Sequence, residues 1–325
     1  MKKVFKVLGV IFLFLIISIA GLGVYVKTAL PNVGPTPEMK VELTPERIKR
    51  GEYLANSVMV CMDCHSTRNW AEFSGPIMPG TLGKGGDEFN QKMGFPGRYF
   101  ASNITPAGIG NWTDGEIFRA ITAGVKKDNQ PIFPVMPHAN YGQLDEEDIK
   151  AIIAYLRSLP AIENVVSQSE SDFPMNFIIN TIPVKANLQK RPLSTDAVQY
   201  GKYLVTAAAC YDCHTQFDNG EFVEGMGFGG GRVFELPGGQ LSTSNITPDN
   251  KTGIGLWSKE QFINRFKTYV DSIAAHQKVG PSDFNTVMPW TMFSHMKDED
   301  LAAIYTYLRT VKPINNPIVK FKPRS

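Results

Sequence analysis

Cysteine is scarce in this chain, and the scarcity limits what its cysteines can do. There are four in 325 residues, whereas a disulfide framework is typical of short secreted domains with many cysteines. Charge of one sign is lacking too, because 33 basic and 31 acidic side chains leave a net charge of +2, which gives no signal for nucleic-acid binding. Strand-like alternation of useful length is also missing. The sequence therefore predicts an all-α protein that does not bind nucleic acid.

All four cysteines fall in two pentapeptides, Cys-Met-Asp-Cys-His at 61–65 and Cys-Tyr-Asp-Cys-His at 210–214. Thiols at this spacing reach the two vinyl groups of one porphyrin and form thioethers, and the adjoining histidine ligates the iron. A thioredoxin-like pair needs neither the histidine nor a distant duplicate, and a four-cysteine zinc site leaves both histidines unexplained. The spacing therefore favours two covalently bound haem c groups. The predicted attachment residues are Cys61, Cys64, Cys210 and Cys213, and the predicted iron ligands are His65 and His214.

An internal repeat organises the chain beyond residue 45. A Gly-x-Tyr-Leu, the pentapeptide, a Ser-Asn-Ile-Thr-Pro loop, a Gly-Ile-Gly before tryptophan, a Met-Pro turn and a Tyr-Leu-Arg return in the same order. We therefore expect two homologous halves, residues 45–160 and 196–325, joined by a linker at 161–195. Capping boxes at 113–116 and 258–261 predict a helix start in each half, and closing helices are expected near Asp145 and Lys297.

The repeat also selects the sixth iron ligand among twelve methionines. Met136 and Met288 each precede a proline and stand at similar distances before the closing helix, so they are the predicted ligands of the first and second haem. A methionine opposite a histidine raises the reduction potential, whereas two histidines lower it. His138 and His295 are the rival ligands, and His138 lies two residues from Met136, which allows a ligand switch or a plain hydrogen-bonded imidazole.

The duplicated loops offer candidate contacts to haem propionates, which are carboxylates that need partners when buried. The alternative is that these residues only fold the loop. The candidates are Asn103, Thr105, Trp112, Asn245, Thr247 and Trp257.

The amino-terminal segment, residues 1–26, indicates where in the cell the protein is located. Lys2, Lys3 and Lys6 precede an uncharged run of about one bilayer span, which favours a single-pass anchor in the inner membrane with the rest of the chain on the periplasmic side. A cleaved signal, which would release the protein into the periplasm, is the alternative. Residues 27–44 are predicted to be an extended tether. The linker carries an apolar stretch, 173–184, too short to span; it clamps the halves together or lies against the membrane or a partner.

With these residues in place, the chain resembles the di-haem form of the cytochrome c family whose members are electron-transfer subunits of membrane-bound alcohol, aldehyde and sugar-acid dehydrogenases. The pentapeptides, both Ser-Asn-Ile-Thr-Pro loops, the tryptophans after Gly-Ile-Gly and both Met-Pro turns carry the resemblance over about residues 45–312. It implies two tandem class I cytochrome c domains preceded by one transmembrane or signal helix, and the same two methionine ligands. Members of the dehydrogenase group often carry three haems, whereas this chain has two attachment segments.

The expected function is electron transfer rather than catalysis. Electrons would enter from a dehydrogenase or a quinol-oxidising complex and leave toward a terminal oxidase or a soluble cytochrome. The main rival is a di-haem peroxidase, which needs one iron with an open distal position, and a matching methionine in both halves speaks against it. The second rival is a thiosulfate-oxidising enzyme that uses a cysteine as an axial iron ligand. No cysteine remains for that role once both pairs attach haem.

Overall fold

The computed structural model describes residues 1–270 and 273–324. The helices are α1 (Lys2–Ala29), α2 (Pro45–Tyr53), α3 (Cys61–Cys64), α4 (Pro106–Ile109), α5 (Asp114–Ala123), α6 (His138–Tyr141), α7 (Glu146–Ser158), α8 (Met175–Ile178), α9 (Ala197–Ala207), α10 (Cys210–His214), α11 (Lys259–Lys267), α12 (Trp290–Phe293) and α13 (Asp298–Leu308). A π-helical turn, Leu54–Val58, follows α2, and 3₁₀ turns lie at Gln91–Met93, Ile179–Thr181 and Ile273–His276. The strands are β1 (Glu88–Phe89), β2 (Gly97–Phe100), β3 (Glu170–Ser171), β4 (Phe217–Asp218), β5 (Glu221–Phe222), β6 (Val233–Leu236), β7 (Gly239–Ser242) and β8 (Phe321–Pro323).

The all-α prediction is wrong. The chain is 41% helical, but 9% of it lies in strands, which form two three-stranded sheets, β1-β2-β3 and β6-β7-β8, and the hairpin β4-β5. Each strand has only two to four residues. An alternation of apolar and polar residues over so few positions cannot be recognised in the sequence. The third strand of each larger sheet comes from a distant segment, the linker for β3 and the carboxyl-terminal region for β8. Backbone pairing of loops, which sequence patterns do not reveal, creates these sheets.

In each half the first and last helices cross at close range, α2 with α7 and α9 with α13. A Cβ on Gly51 would lie 1.8 Å from the Ala151 carbonyl oxygen, and one on Gly201 would lie 2.0 Å from the Ala303 oxygen. Both crossings therefore require glycine, which explains the repeated Gly-x-Tyr-Leu. One hydrophobic core runs through both halves, from Val41 to Leu308.

The predicted helix starts are confirmed. Thr113 and Glu116 exchange side-chain and backbone hydrogen bonds at the start of α5, and Ser258 and Gln261 do the same at α11. Asp145 caps α7, whereas Lys297 makes no side-chain cap bond at α13. In the first half, α2 ends at Tyr53 and continues as the π-helical turn.

The two halves interlock through their shortest helices. The helix after the first Met-Pro turn, α6, packs on α9 of the second half, and α12 packs on the π-helical turn of the first. The linker runs along the first half, where β3 pairs with β2 and the Asn187 N–H donates to the Gly142 carbonyl at 2.8 Å. Each methionine segment is thus held between the halves.

The amino-terminal helix α1 has no buried residue. Within residues 1–270 and 273–324 it is the one helix long and apolar enough to cross a membrane, with a mean hydropathy of 2.8 over its most apolar window. A secretory signal meets the same criterion. The end of α1 contacts the linker, where Lys27 Nζ donates to the Asn176 carbonyl at 2.6 Å.

Candidate haem sites

Each attachment segment begins at a sharp backbone turn. Val60 and Ala209, the residues before the first cysteines, have left-handed backbones with φ of 44° and 51°. A left-handed conformation costs about 1–2 kcal/mol for such residues, and strain of this kind persists where the surroundings enforce it, often at functional sites. The turn starts a short helix in which the two cysteines are three positions apart and therefore share one face.

The histidine of each segment is oriented by a backbone carbonyl. His65 Nδ1 lies 2.6 Å from the Ser102 oxygen, and His214 Nδ1 lies 2.7 Å from the Ser244 oxygen. A proton on Nδ1 makes this hydrogen bond and leaves the lone pair of Nε2 free for a metal. Burial lowers the pKa of both histidines below the usual 6.5, which favours the neutral form that can ligate iron.

Both carbonyls belong to the duplicated Ser-Asn-Ile-Thr-Pro loops, and sequence reasoning missed the serines. The one sequence signal for these serines was the repetition of the loop. A loop that orients a ligand through a backbone carbonyl can do so with any side chain, so the residue type does not indicate the role. Ser102 follows His65 by 37 residues, and Ser244 follows His214 by 30. The segment between histidine and loop is therefore seven residues longer in the first half.

One continuous cavity of 1240 Å³ joins the two sites. It exceeds the roughly 300–1,000 Å³ of ordinary small-molecule pockets, as a site for two large planar groups would. Its wall brings together all eight residues predicted for attachment and iron ligation: Cys61, Cys64, His65, Met136, Cys210, Cys213, His214 and Met288.

Hydrogen bonds across the halves hold the methionine segments. Ser74 Oγ donates to the Met288 carbonyl at 2.6 Å and accepts from the Trp290 N–H at 3.0 Å. Near Met136, Asn140 Nδ2 donates to Asp212 of the second pentapeptide at 2.9 Å. Each half thus helps to position the predicted iron ligand that the other half carries.

The six candidate propionate contacts do not line this cavity. Asn103 donates to the Ile162 carbonyl at 2.8 Å and accepts from the Thr105 hydroxyl at 2.7 Å. The second loop repeats both bonds, from Asn245 to the Ile314 carbonyl and from the Thr247 hydroxyl to Asn245. The carbonyls of Trp112 and Trp257 accept hydrogen bonds from Arg157 and Tyr305. This geometry supports the loop-folding alternative; the propionate role stays a prediction.

Two arginine–tryptophan pairs in the cavity wall were not predicted. The Arg68 guanidinium stacks on Trp70 at 4.1 Å and donates to Asp63 at 2.7 Å, and Arg265 stacks on Trp290 at 4.6 Å. Arginine pairs well with carboxylates because its planar fork is always charged. The two arginines do not occupy equivalent repeat positions, so the repeat gave no signal for them.

Two of the carboxyl groups in the first half of the wall have raised pKa values. Burial raises the pKa of Asp63 and of Asp87 to about 6, although the nearby Arg68 charge lowers both. Burial likewise raises the pKa of the Cys61 and Cys210 thiols to about 12. This environment favours neutral thiols.

The two histidines that were alternative iron ligands lie outside the cavity wall. His138 is buried but is not part of the cavity wall. Its ring covers Gly124, where a Cβ would lie 2.5 Å from the imidazole, and burial lowers its pKa to about 4. His295 also lies outside the cavity wall.

The residues present fit covalently bound haem. Each site offers two thiols on one face, a neutral imidazole with Nε2 free and a thioether sulfur in the same mostly apolar cavity. Within residues 1–270 and 273–324 no cluster of three or more His, Cys, Asp or Glu side chains is arranged to hold a metal ion directly. The four-cysteine zinc alternative needs such a cluster.

Comparison with known proteins agrees with this chemistry. The cytochrome c family model matches residues 198–312. The chain is 27% identical to the cytochrome c subunit of a quinone-dependent alcohol dehydrogenase from Gluconobacter oxydans over 82% of its length and 55% of that protein. It is 26% identical to a gluconate 2-dehydrogenase cytochrome c subunit from Pantoea cypripedii, over 81% of this chain and 59% of that one. It is also 26% identical to a di-haem cytochrome c-type protein of Cereibacter sphaeroides, over 86% and 90%.

These comparisons limit two inferences. The chain spans little more than half the length of the dehydrogenase subunits it matches. The expectation of two tandem class I cytochrome c domains is also corrected, because one stretch, in the second half, matches the family model. The first half keeps the landmarks but has a longer segment between its histidine and its Ser-Asn-Ile-Thr-Pro loop.

Proposed function

Residues 198–312 are a cytochrome c domain, and from that premise we propose that the chain is a membrane-associated di-haem c-type cytochrome that carries electrons. The donor is a dehydrogenase or a quinol-oxidising complex, and the acceptor is a terminal oxidase or a soluble cytochrome. The first haem is attached to Cys61 and Cys64, and the second to Cys210 and Cys213. The protein itself catalyses no substrate chemistry.

The shared cavity carries this proposal. It collects two attachment pairs, two oriented histidines and two Met-Pro turns from segments up to 227 residues apart, between residues 61 and 288. Core packing alone gives no reason for each histidine to direct Nδ1 at a loop carbonyl and to leave Nε2 without that partner. Because both sites open into one space, electrons can pass between them without leaving the protein.

The side chains have separate tasks in this scheme. Bound haem iron supplies one-electron chemistry by cycling between its ferrous and ferric states. His65 and His214 would hold the metals through Nε2, and the serine carbonyls fix the ring orientations. Met136 and Met288 would complete the coordination, which would raise the potentials and keep small molecules from the metals. Arg68 and Arg265 would offer positive charge to haem carboxylates bound in this cavity.

The proposed location follows from α1. No residue of its apolar surface is buried, which suits a helix surrounded by lipid, and the three lysines before the apolar run favour a cytoplasmic amino terminus. The haem-carrying part then faces the periplasm. The relatives named as subunits of alcohol and gluconate dehydrogenases support a dehydrogenase as the donor.

Two measurements on the full chain, purified from native membranes, test the proposal. Haem content per chain, measured as the pyridine haemochrome of acid-washed protein, is expected to be two covalent groups. Carbon monoxide and hydrogen peroxide are then added to the reduced and half-reduced protein. Neither reagent is expected to change the visible spectrum, because both irons are six-coordinate. Carbon monoxide binding to one haem together with peroxide turnover would favour the di-haem peroxidase alternative, and absence of covalent haem would end the proposal.

A further inference from the structure

A short apolar segment of the linker stands exposed beside the end of α1. It comprises residues 173–178, which include α8. Phe173 is 81% exposed and Ile178 is 44% exposed, and the Phe173 and Phe177 rings stack edge to face at 6.4 Å. The sequence left open whether the linker clamps the halves, meets the membrane or binds a partner.

Contacts with α1 determine where this segment lies along the helix axis. Lys27 Nζ donates to the Asn176 carbonyl and lies 5.0 Å from the centre of the Phe177 ring. A Cβ on Gly23 would lie 3.6 Å from the same ring. Gly23 belongs to the apolar run and Lys27 is the first charge after it, so the segment lies where the apolar surface of α1 ends.

The distance along α1 places the segment at a membrane boundary. Gly23 and Lys27 are four positions apart, which is about 6 Å of helix at 1.5 Å per residue. Interfacial segments bury their apolar side about 5–10 Å into the boundary between headgroups and acyl chains. Phe173 and Ile178 lie at this level without cover from the second half.

We propose that residues 173–178 insert into the outer interface of the bilayer beside α1, so that the protein meets lipid at two neighbouring points. The inference rests on the proposed function in the retention of α1 as an anchor, and its test uses the proposed covalent haems that occupy the native cysteines. The occupant is lipid because the exposed apolar side chains continue the apolar surface of the spanning helix. A lysine at the end of the span suits the headgroup layer, since its stem lies along apolar surface and its charge stays at the interface.

The insertion orients the two sites. Lys27, Asn176 and Ile179 all belong to the wall of the cavity, and the linker that carries this segment pairs with β2 of the first half. The first-half site therefore faces the membrane and the second-half site lies farther from it.

Spin labelling of the full haem-loaded chain tests the insertion. All four native cysteines are consumed by thioethers in the holoprotein, so a cysteine introduced by Phe173→Cys is the sole free thiol and takes the label selectively. The matched control is Leu193→Cys, at a 77% exposed apolar position of the same linker. A third variant, Ile11→Cys, labels the apolar run of α1. Each protein is reconstituted in vesicles of phosphatidylethanolamine and phosphatidylglycerol.

The readout is collision of the label with oxygen, which partitions into lipid, against collision with a water-soluble nickel chelate. We expect the oxygen-to-nickel ratio at 173 to exceed that at 193 several-fold and to approach that at 11. A lipid-like ratio at 11 with a water-like ratio at 173 overturns the insertion and leaves the anchor standing. Water-like ratios at both positions overturn the anchor as well. Protection of 173 from both reagents means that protein covers it, which also overturns the insertion.

Discussion

The Tyr203 hydroxyl donates to the Asp148 carboxylate at 2.7 Å, across the boundary between the two halves. The repeat-related pair makes the reciprocal bond, from Tyr53 to Asp300 at 2.5 Å. Each hydroxyl also accepts a backbone N–H at the start of the other half's closing helix, from Asp145 to Tyr203 and from Lys297 to Tyr53. The tyrosine of each Gly-x-Tyr-Leu thus ties its first helix to the opposite closing helix. These exchanged bonds keep the two sites in one cavity.

The two carboxylates differ in their remaining partners. Asp148 is 2% exposed and pairs with Arg50 at 2.8 Å and Arg191 at 2.6 Å. Asp300 is 3% exposed and has no ion pair within residues 1–270 and 273–324. Tyr200 occupies the repeat position of Arg50, and the pKa of its hydroxyl is raised to about 12 by burial and by the Asp300 charge. The two tyrosine–aspartate pairs therefore make the same hydrogen bonds, but their aspartates differ in their ion pairs.

This asymmetry predicts unequal losses of stability. A hydrogen bond to a charged group contributes about 1.5–3 kcal/mol. We expect Tyr53→Phe to lower the free energy of unfolding by about 2–3 kcal/mol, because Asp300 has no cation to compensate, and Tyr203→Phe to lower it by about 1 kcal/mol, because two arginines remain on Asp148. Guanidinium unfolding followed by circular dichroism measures both. Equal losses would show that the arginines do not compensate.

The left-handed Gly124 predicts a second effect on stability. Its φ is +71°, and an added Cβ would meet the His138 ring at 2.5 Å. Gly80 has a similar φ of +75° with nothing within 4 Å of the added atom, so it is a matched control for backbone strain alone. We expect Gly80→Ala to cost about 1–2 kcal/mol, and Gly124→Ala to cost more because the buried ring must move.

The displaced ring also has a spectroscopic consequence. His138 follows Met136 by two residues, so its movement should disturb the first haem's spectrum in Gly124→Ala while Gly80→Ala leaves it unchanged. If thermal melting and visible spectra are alike in the two variants, the packing of His138 on Gly124 does not hold the Met136 turn.

Asp145 predicts a pH dependence of stability. Burial opposes ionisation, but the backbone N–H groups of Arg191 and Glu147 and the charge of Lys190 outweigh it and hold the pKa of Asp145 below the usual 3.8. A depressed carboxyl pKa adds stability above the unfolded-state pKa, and that stability is lost as pH falls through the folded-state pKa. Asparagine caps a helix about as well as aspartate. Asp145→Asn should therefore reduce stability at neutral pH and flatten its loss below about pH 4.

Denaturation curves across that pH range measure the effect. Asp218→Asn removes an exposed carboxylate and serves as the control, which should keep the pH profile of the parent. A parent-like profile for Asp145→Asn would mean that the cap contributes no charge-dependent stability.

Haem stoichiometry tests the two attachment segments separately. Replacing Cys61 and Cys64 by alanine should leave one covalent haem per chain, and replacing Cys210 and Cys213 should do the same, because each pair attaches its own group. The pyridine haemochrome of the washed protein counts them. The variant in which all four cysteines are replaced is the control and should retain no covalent haem. A single pair that abolishes both haems would indicate that the halves mature together rather than independently.

Sequence reasoning located the residues that share the cavity wall better than it located the strands. Local signals located both pentapeptides, the capping boxes at Thr113 and Ser258 and the closing helix near Lys297, because each depends on neighbours in the chain. The short strands could not be predicted, since β2 and β3 are joined by backbone bonds over about 70 residues. The same limit hid Ser102, whose carbonyl rather than side chain contacts His65. Asn103 and Thr105 drew attention as polar side chains, yet they fold the loop that delivers this carbonyl.

The methionine ligands are open to a direct electrochemical test. Met136 and Met288 line the shared cavity, and replacing a thioether by an imidazole lowers the reduction potential of the iron it ligates. We expect Met136→His to lower the first haem's potential and to leave the second nearly unchanged, while Met288→His does the reverse. Met296→Leu is the control, because Met296 is a fully buried core residue outside the cavity wall, and both potentials should persist. Redox titration with visible and electron paramagnetic resonance spectra resolves the two haems. Equal shifts of both potentials in one variant would mean that Met136 or Met288 acts through the fold rather than as a ligand.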